Sequence, residues 1–218
     1  MTTAQAAAPN VGDDDKQPTR PGSKYRKRAD AAYYWWDAMQ PQVRKNGVTP
    51  GDRATLARLR RSANPFELAV EPATADLFRK LWPENRKAAD TDIATAAVLA
   101  GVLAHIRTLT RGASLARAMG ARNGERAVIS AIRMKRFMAA REPEDVLRQY
   151  QRILAMLGDS ADVRNVAECV LAWRDPSPAG DRARTRFAFE YHGTTLEDAE
   201  DLVAEIAPAT ETLQRLEP

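Results

Sequence analysis

The sequence contains little of the chemistry that enzymes and metal sites use. Among 218 residues there are one cysteine, Cys169, and two histidines, His105 and His192. One cysteine cannot form a disulfide within the chain, and this set is too small for an ordinary structural zinc site. A Gly-rich phosphate loop, a His-Glu-x-x-His helix and a Gly-x-Ser-x-Gly elbow are also missing. We therefore predict a protein that is not an enzyme and that carries no metal or other cofactor.

Long hydrophobic runs are missing as well. The most apolar stretch, Ile93 to Ala104, is too short for a membrane span, which needs roughly 20 residues. The N-terminus lacks the apolar region of a signal peptide and carries Asp13, Asp14 and Asp15. These absences predict a cytoplasmic protein without a membrane partner.

Aromatic residues make up only 6% of the chain, and no stretch alternates convincingly as a strand would. Apolar spacing and capping residues instead predict an all-α, multi-helix bundle over residues 26–192. We expect a disordered tail over residues 1–25 and an acidic C-terminal extension, helical or disordered, over residues 193–218. The predicted helices are 30–39, one opened by Thr49 and Pro50, 72–81, 91–109, 115–120, 125–138, 143–157, 160–173 and one that ends at 191.

Carboxylates are scarce in one long window of the chain. Residues 101–141 hold nine basic side chains and a single acidic one, Glu125, whereas residues 193–218 hold one basic and seven acidic. Residues 24–61 form a second basic stretch, with ten basic and three acidic side chains. Concentrated positive charge predicts a polyanionic partner such as nucleic acid. The alternative is that the many arginines reflect a biased composition and are merely solvated on helix faces.

Arginine spacing indicates where such a partner would bind. Arg126 and Arg133 lie seven residues apart on the predicted helix 125–138, opposite its apolar side. Two guanidinium groups on one rigid face suit successive phosphates, because each planar fork can bind a phosphate bidentately. Arg117 and Arg122 extend this patch, and the pair Arg60-Arg61 adds a second one.

Four consecutive aromatic residues, Tyr33-Tyr34-Trp35-Trp36, occupy the first predicted helix. Such a run could stack on nucleic-acid bases. Four successive residues fan around all sides of a helix, however, so at least two of them must pack inward. We therefore expect this run to belong mainly to the core.

Three stretches in this order resemble the CasB family, the small subunit of the type I-E CRISPR Cascade surveillance complex. They are Tyr33–Trp36 with Gly51–Ala54 and Leu59–Arg61; Ser114–Ala118 with Glu125-Arg126 and Ile132-Arg133; and Trp173 with Thr185–Tyr191. The resemblance implies a helical, non-catalytic subunit, two copies of which lie head to tail in a crRNA-guided complex. It also implies contacts with other Cascade subunits and crRNA, and a basic surface that holds the displaced single-stranded DNA of the R-loop.

The resemblance places Arg60, Arg61 and Arg133 at positions where the family carries basic residues that contact nucleic acid. Arg86 and Arg111 are further positions of this kind. With the arginines derived from spacing, the predicted nucleic-acid-binding residues are Arg60, Arg61, Arg86, Arg111, Arg117, Arg122, Arg126, Arg133 and Arg136.

Two alternatives remain at this point. Residues 114–133 could form a helix-turn-helix DNA-binding regulator, although the second element offers few polar residues for reading bases. The chain could also be a helical scaffold whose arginines are held in ion pairs.

For the acidic extension, two interpretations are open. An amphipathic helix could fold back on the basic surface through Leu196, Leu202, Val203 and Ile206. The rival interpretation is an inert, solubilising tail.

Overall fold

The computed structural model describes residues 24–44, 47–84, 89–124 and 126–193, and between 42 and 49 it describes only the backbone. Within these ranges the chain is mostly helical, which confirms the all-α fold class. The helices are α1 (Arg26–Ala38), α2 (Arg53–Arg61), α3 (Pro65–Ala69), α4 (Pro72–Leu81), α5 (Asp90–Ala104), α6 (Leu115–Gly120), α7 (Ala131–Ala139), α8 (Pro143–Met156), α9 (Val163–Arg174) and α10 (Pro178–Tyr191).

Short strands also occur, and the sequence did not predict them. They are β1 (Gln42–Arg44), β2 (Gly47–Thr49), β3 (Thr108–Leu109), β4 (Arg122–Asn123), β5 (Arg126–Ala127) and β6 (Ser160–Ala161). They pair as β1 with β2, β3 with β6 and β4 with β5, and only the β3–β6 pair is parallel. With two or three residues each, these strands join loops together and leave the fold helical.

Helix α5 is the centre of the bundle, as its apolar sequence predicts. Every residue from Thr95 to Ala104 is buried, and helices α2, α3, α4, α8 and α9 pack around it. Its alanines let neighbouring helices approach closely, and a Cβ atom at Gly101 would lie only 2.6 Å from a Leu68 methyl group. The helix nevertheless ends at Ala104 rather than near Leu109. The backbone N–H groups of Arg107 and Thr108 bind the carbonyl of Asp159, so this segment joins β6 instead of extending the helix.

The aromatic run on α1 packs mainly inward, as expected. Tyr33, Trp35 and Trp36 are buried, whereas Tyr34 is 64% exposed. Both indoles are also anchored, because Trp35 Nε1 donates to the carbonyl of Ala73 and Trp36 Nε1 to that of Ile106. Buried aromatic nitrogens usually find such partners, and these two bonds fix α1 against its neighbours.

A second aromatic cluster joins the last four helices. Phe137 of α7 contacts Tyr150 of α8, Trp173 of α9 and Phe187 of α10, with ring centroids 4.8 to 5.5 Å apart. The rings meet edge-on or tilted, which are favourable aromatic geometries. This cluster holds α7 and α8 in fixed relative positions.

The predicted helix 125–138 is wrong over its first half. Strands β4 and β5 form a hairpin instead, and Gly124 follows β4 in its turn with a φ of +65°. The turn itself was predicted, but the helix begins only at Ala131. The backbone N–H groups of Val128 and Ile129 donate to carbonyls at the end of α6, which removes them from a helical ladder.

This correction changes which side chains are buried. Ile129 is buried as predicted, but Val128 and Ile132 are 37% and 68% exposed. Arg126 lies on a strand and Arg133 on α7, so the two do not share one helix face as the sequence analysis proposed.

Several helix starts were also placed wrongly. Asp52, not Thr49, caps α2 by accepting from the N–H of Thr55 at 3.0 Å. Helix α3 was not predicted, and α9 begins after the cap residue Asp162 rather than at Ser160. The cap of α6 at Ser114 is confirmed, as is the start of α8 at Pro143.

Of the two predicted tails, nearly all lies outside the described residues. Only Lys24 and Tyr25 of the N-terminal tail and Gly193 of the C-terminal extension are described. Among the described helices, none combines the length and the apolar character needed to cross a membrane.

Candidate nucleic-acid interface

Most of the predicted arginines lie at the surface. Arg60 is half-buried and Arg86 lies outside the described residues. The other seven are exposed: Arg61, Arg111, Arg117, Arg122, Arg126, Arg133 and Arg136. Arg133 and Arg136 belong to a region that we call the arginine groove, and Arg117, Arg122 and Arg126 belong to a second region, on α6 and the β4–β5 hairpin, that we call the arginine face. Arg61 and Arg111 lie in neither region.

The arginine groove lies between α7 and α8. Arg133 and Arg136 project from α7 and Arg152 from α8, and together they line a cavity of about 280 Å³ whose floor includes Ile153 and Met156. Arg133 and Arg136 are three residues apart, so they are neighbours on one helix surface. Three guanidinium groups around an apolar floor can bind phosphates while a base or sugar contacts the floor.

Arg152 is a site residue that the sequence analysis missed. It lies four residues after Arg148 on the polar side of α8, so helical spacing identifies it as a surface arginine but not as a neighbour of α7. The charge balance of residues 142–192 gives no indication of it either, because acidic side chains are in slight excess there. A charge sum over a long stretch of sequence does not reveal a pair of arginines near the end of one helix.

The arginine face comprises Arg117 on α6 and the hairpin residues Arg122 and Arg126. In the hairpin Arg122 pairs with Ala127 and Arg126 with Asn123. Directly paired residues share a face and sequence neighbours alternate, so Arg122 and Arg126 point to opposite sides of the hairpin. The hairpin therefore presents positive charge on both of its faces.

Helix α10 holds the arginine face in place. The Tyr191 hydroxyl donates to the carbonyl of Ile129 at 2.7 Å, and Ser114 donates to a Glu190 carboxylate oxygen at 2.6 Å. The approach is so close that a Cβ atom at Gly120 would lie 1.9 Å from the Tyr191 carbonyl oxygen. The C-terminal end of α10 thus lies directly beside α6 and the hairpin.

The arginines of both surfaces have no carboxylate partner among the described residues. Within these ranges arginine ion pairs occur at six other positions: Arg58, Arg79, Arg107, Arg148, Arg164 and Arg184. The arginines of the groove and the face form none of them. Their charge is therefore available to an external anion.

Arg60 has a different environment from the exposed arginines. Its Nε donates to the carbonyl of Ala104, at the C-terminal end of α5. Burial, and then the neighbouring Arg107, lower the pKa of Arg60 from its ordinary value. Arg107 itself pairs with Asp159 at 3.1 Å. Arg60 thus fastens α2 to the core, whereas Arg61 next to it remains exposed.

The environments of Cys169 and His105 make both side chains poorly suited to catalysis. Burial, with Glu168 and Glu190, raises the pKa of the Cys169 thiol well above its ordinary value, which disfavours the reactive thiolate. Burial also lowers the pKa of His105, as a packed histidine beside Arg60 and Arg107 requires. In the part of the chain that the structure describes, no group of three or more His, Cys, Asp or Glu could hold a metal ion.

The helix-turn-helix alternative is contradicted by residues 114–133. That motif joins its two helices by a turn of three or four residues. Here ten residues separate the end of α6 at Gly120 from the start of α7 at Ala131, and they include a β-hairpin.

Comparison with known proteins supports the family resemblance. The chain has no significant match among the curated proteins or the solved structures. A family model described as CRISPR-associated protein Cse2 matches residues 55–192, which is more than half of the chain. The match begins within α2, after the aromatic run on α1, and extends through α10. Cse2 proteins are non-catalytic subunits of CRISPR Cascade complexes. This chain belongs to the Cse2 family, the CasB family that its sequence resembles, and is a Cascade subunit.

Proposed function

We propose that this Cascade subunit binds nucleic acid through the arginine groove and the arginine face, and that it stabilises the displaced DNA strand of the R-loop in a type I-E complex. The observation that carries this proposal is the set of exposed arginines without carboxylate partners among the described residues. Neighbouring guanidinium groups without carboxylate partners repel one another, and a polyanion bound across them would relieve that repulsion.

The physics of strand exchange explains what such a surface would do. An RNA–DNA heteroduplex is about as stable as the DNA duplex it replaces, so R-loop formation is nearly balanced. Contacts to the backbone of the displaced strand shift this balance without reading its sequence. The guide RNA in the complex would supply the sequence specificity, and this subunit would supply backbone contacts.

Strand preference tests the proposal directly. We expect weak binding of the full chain to single-stranded DNA, with equal affinity for unrelated sequences and lower affinity for duplex. Each phosphate contact on a single strand adds a slope of about −0.7 in log K against log salt. Fluorescence anisotropy over a salt series measures this slope. A slope near zero contradicts an electrostatic interface, and tight binding to one particular duplex contradicts the proposed role.

Recovery of the complex from the host tests the assembly. We expect the tagged chain to co-purify with crRNA and with other Cascade subunits from its native cell. Purification of the chain without RNA, from cells in which the CRISPR genes are expressed, would contradict the proposed partners.

A second copy of the chain is a further proposed partner. At the N-terminal end of α8, Asp90, Glu142 and Glu144 surround an apolar groove of about 590 Å³, which we call the acidic groove. Phe66, on its edge, is 73% exposed. The arginine groove lies toward the other end of the same helix, which rises about 12 Å from Glu144 to Arg152. Acidic and basic grooves at opposite ends favour a head-to-tail contact.

Sedimentation analysis tests this contact. We expect Phe66→Ser to weaken self-association of the full chain. Phe189→Ser is a matched control, because Phe189 is also an exposed aromatic residue but lies on α10, away from both grooves. Equal sedimentation of all three proteins at every concentration would contradict this use of the acidic groove.

A further inference from the structure

Residues 194–218 are strongly acidic, and the described chain leads directly to the arginine face. This segment carries seven carboxylates and one arginine. The last described residue, Gly193, lies two residues after Tyr191. The Tyr191 hydroxyl donates to the carbonyl of Ile129, and the Tyr191 carbonyl oxygen lies against Gly120. The acidic segment therefore begins beside the surface that holds Arg117, Arg122 and Arg126.

Distance along the chain places this surface within reach of the segment. Four carboxylates, Glu197, Asp198, Glu200 and Asp201, lie four to eight residues beyond Gly193. A fully extended chain covers at most about 3.5 Å per residue, so these groups lie within roughly 15 to 30 Å of the end of α10. The remaining residues extend the reach of the segment as far as the arginine groove.

Charge also selects the surface. The acidic groove carries Asp90, Glu142 and Glu144 and repels an acidic segment. The arginine face offers guanidinium groups without described carboxylate partners. Val128, which directly follows β5, is exposed and offers an apolar contact for Leu202 or Val203 of the segment.

We propose that residues 194–218 bind the arginine face within the same chain and compete there with nucleic acid. The competition part rests on the proposed function, because it assumes that nucleic acid uses the same arginines. A tethered segment of this length acts at an effective concentration in the millimolar range. The segment thus displaces weakly bound polyanions from the arginine face, whereas DNA that the complex already holds displaces the segment.

A charge variant of the full chain tests the competition. Glu197→Gln, Asp198→Asn, Glu200→Gln and Asp201→Asn together remove four negative charges from the segment. The matched control removes four exposed negative charges around the acidic groove, through Glu67→Gln, Asp90→Asn, Glu142→Gln and Glu144→Gln. Both variants change the net charge equally, so only the position of the change differs.

We expect the segment variant to bind single-stranded DNA about 3- to 10-fold more tightly than the natural chain at 50 mM salt. The difference should vanish near 0.5 M salt, where screening leaves a Debye length of only about 4 Å. The control should gain clearly less. Equal gains in both variants would reduce the effect to net charge and overturn the competition.

A second measurement tests the contact without nucleic acid. A spin label is attached through Ala204→Cys in a chain whose own cysteine is removed by Cys169→Ala. We expect paramagnetic broadening of amide signals mainly in residues 115–128, and loss of this broadening at high salt. Uniform broadening, or broadening around Phe66 instead, overturns the contact. Broadening at the arginine face in a chain that does not bind DNA would support the contact and contradict the proposed function.

Discussion

Removal of the three arginines of the arginine groove should weaken the salt dependence of DNA binding without weakening the fold. The variant carries Arg133→Gln, Arg136→Gln and Arg152→Gln. If each guanidinium neutralises one phosphate of a single strand, the slope of log K against log salt becomes shallower by about 2. Between 50 and 200 mM salt the natural chain should then lose roughly 20-fold more affinity than the variant.

Stability should hardly change, because all three side chains lie at the surface, without described ion pairs. Surface substitutions of this kind usually change the free energy of unfolding by less than about 0.5 kcal/mol. Thermal unfolding followed by circular dichroism measures this, and fluorescence anisotropy with a single-stranded oligonucleotide measures the slope.

The matched control removes three arginines that are already paired. Arg58 pairs with Glu71, Arg79 with Asp76, and Arg148 with Asp145. Changing these three to glutamine alters the net charge by the same amount and should leave the slope nearly unchanged. The reasoning is refuted if both triple variants flatten the slope equally, or if the groove variant loses its cooperative unfolding transition.

Three further predictions concern the framework of the site. Gly120→Ala should lower the free energy of unfolding by about 1 to 3 kcal/mol, because the new Cβ would collide with the backbone carbonyl of Tyr191. Urea unfolding measures this change, and an unchanged midpoint would contradict the close packing. Arg184→Met should lower the free energy of unfolding by about 2 kcal/mol or more, because Arg184 is buried and donates to three backbone carbonyls at the end of α9. A decrease in melting temperature of less than 1 °C would contradict that role. Burial opposes ionisation of Asp175, but hydrogen bonds from Lys24 and Tyr25 outweigh it and hold its pKa below the ordinary value. The stabilisation from Asp175 is therefore complete above about pH 5 and is lost as the pH falls through its folded pKa. The difference in unfolding free energy between the natural chain and Asp175→Asn should shrink as the pH is lowered toward 2, and a constant difference would contradict this linkage.

The sequence predicted elements whose signals are local. Helix α8 has Pro143 at its first position and apolar residues at helical spacing, and α6 has the side-chain cap of Ser114. Such signals involve residues within one or two turns of each other, so they can be found without knowledge of the fold. The packing of the α1 aromatic run followed from helix geometry in the same way.

The errors occurred where distant backbone groups compete for hydrogen bonds. Residues 125–130 have helical apolar spacing, yet the N–H groups of Val128 and Ile129 bind carbonyls at the end of α6. In the same way, Arg107 and Thr108 bind Asp159, fifty residues away, and so end α5 early. Propensity and periodicity contain no information about such partners, so tertiary context overrides them.

For the candidate site, the sequence predicted the basic character of residues 101–141 but not its geometry. The proposed face of Arg126 and Arg133 does not exist, because a hairpin and a helix carry these residues separately. The arginine groove was missed because it requires Arg152 from α8, which only the packing of α7 on α8 brings close. A site formed by two separate helices cannot be inferred from the spacing within one of them.

Local sequence does, however, separate some committed arginines from free ones. Arg79, Arg148 and Arg184 each have an aspartate three residues earlier, and each forms an ion pair with it. Residues 101–141 offer no carboxylate at such a distance except Glu125, so their arginines lack this local partner. In this chain the position of the acidic residues therefore distinguishes some paired arginines from unpaired ones, which the position of the arginines alone does not. The acidic residues that residues 101–141 lack are concentrated in residues 194–218, which follow helix α10, and α10 packs against α6. The spin-label measurement tests whether this acidic segment contacts the arginine face.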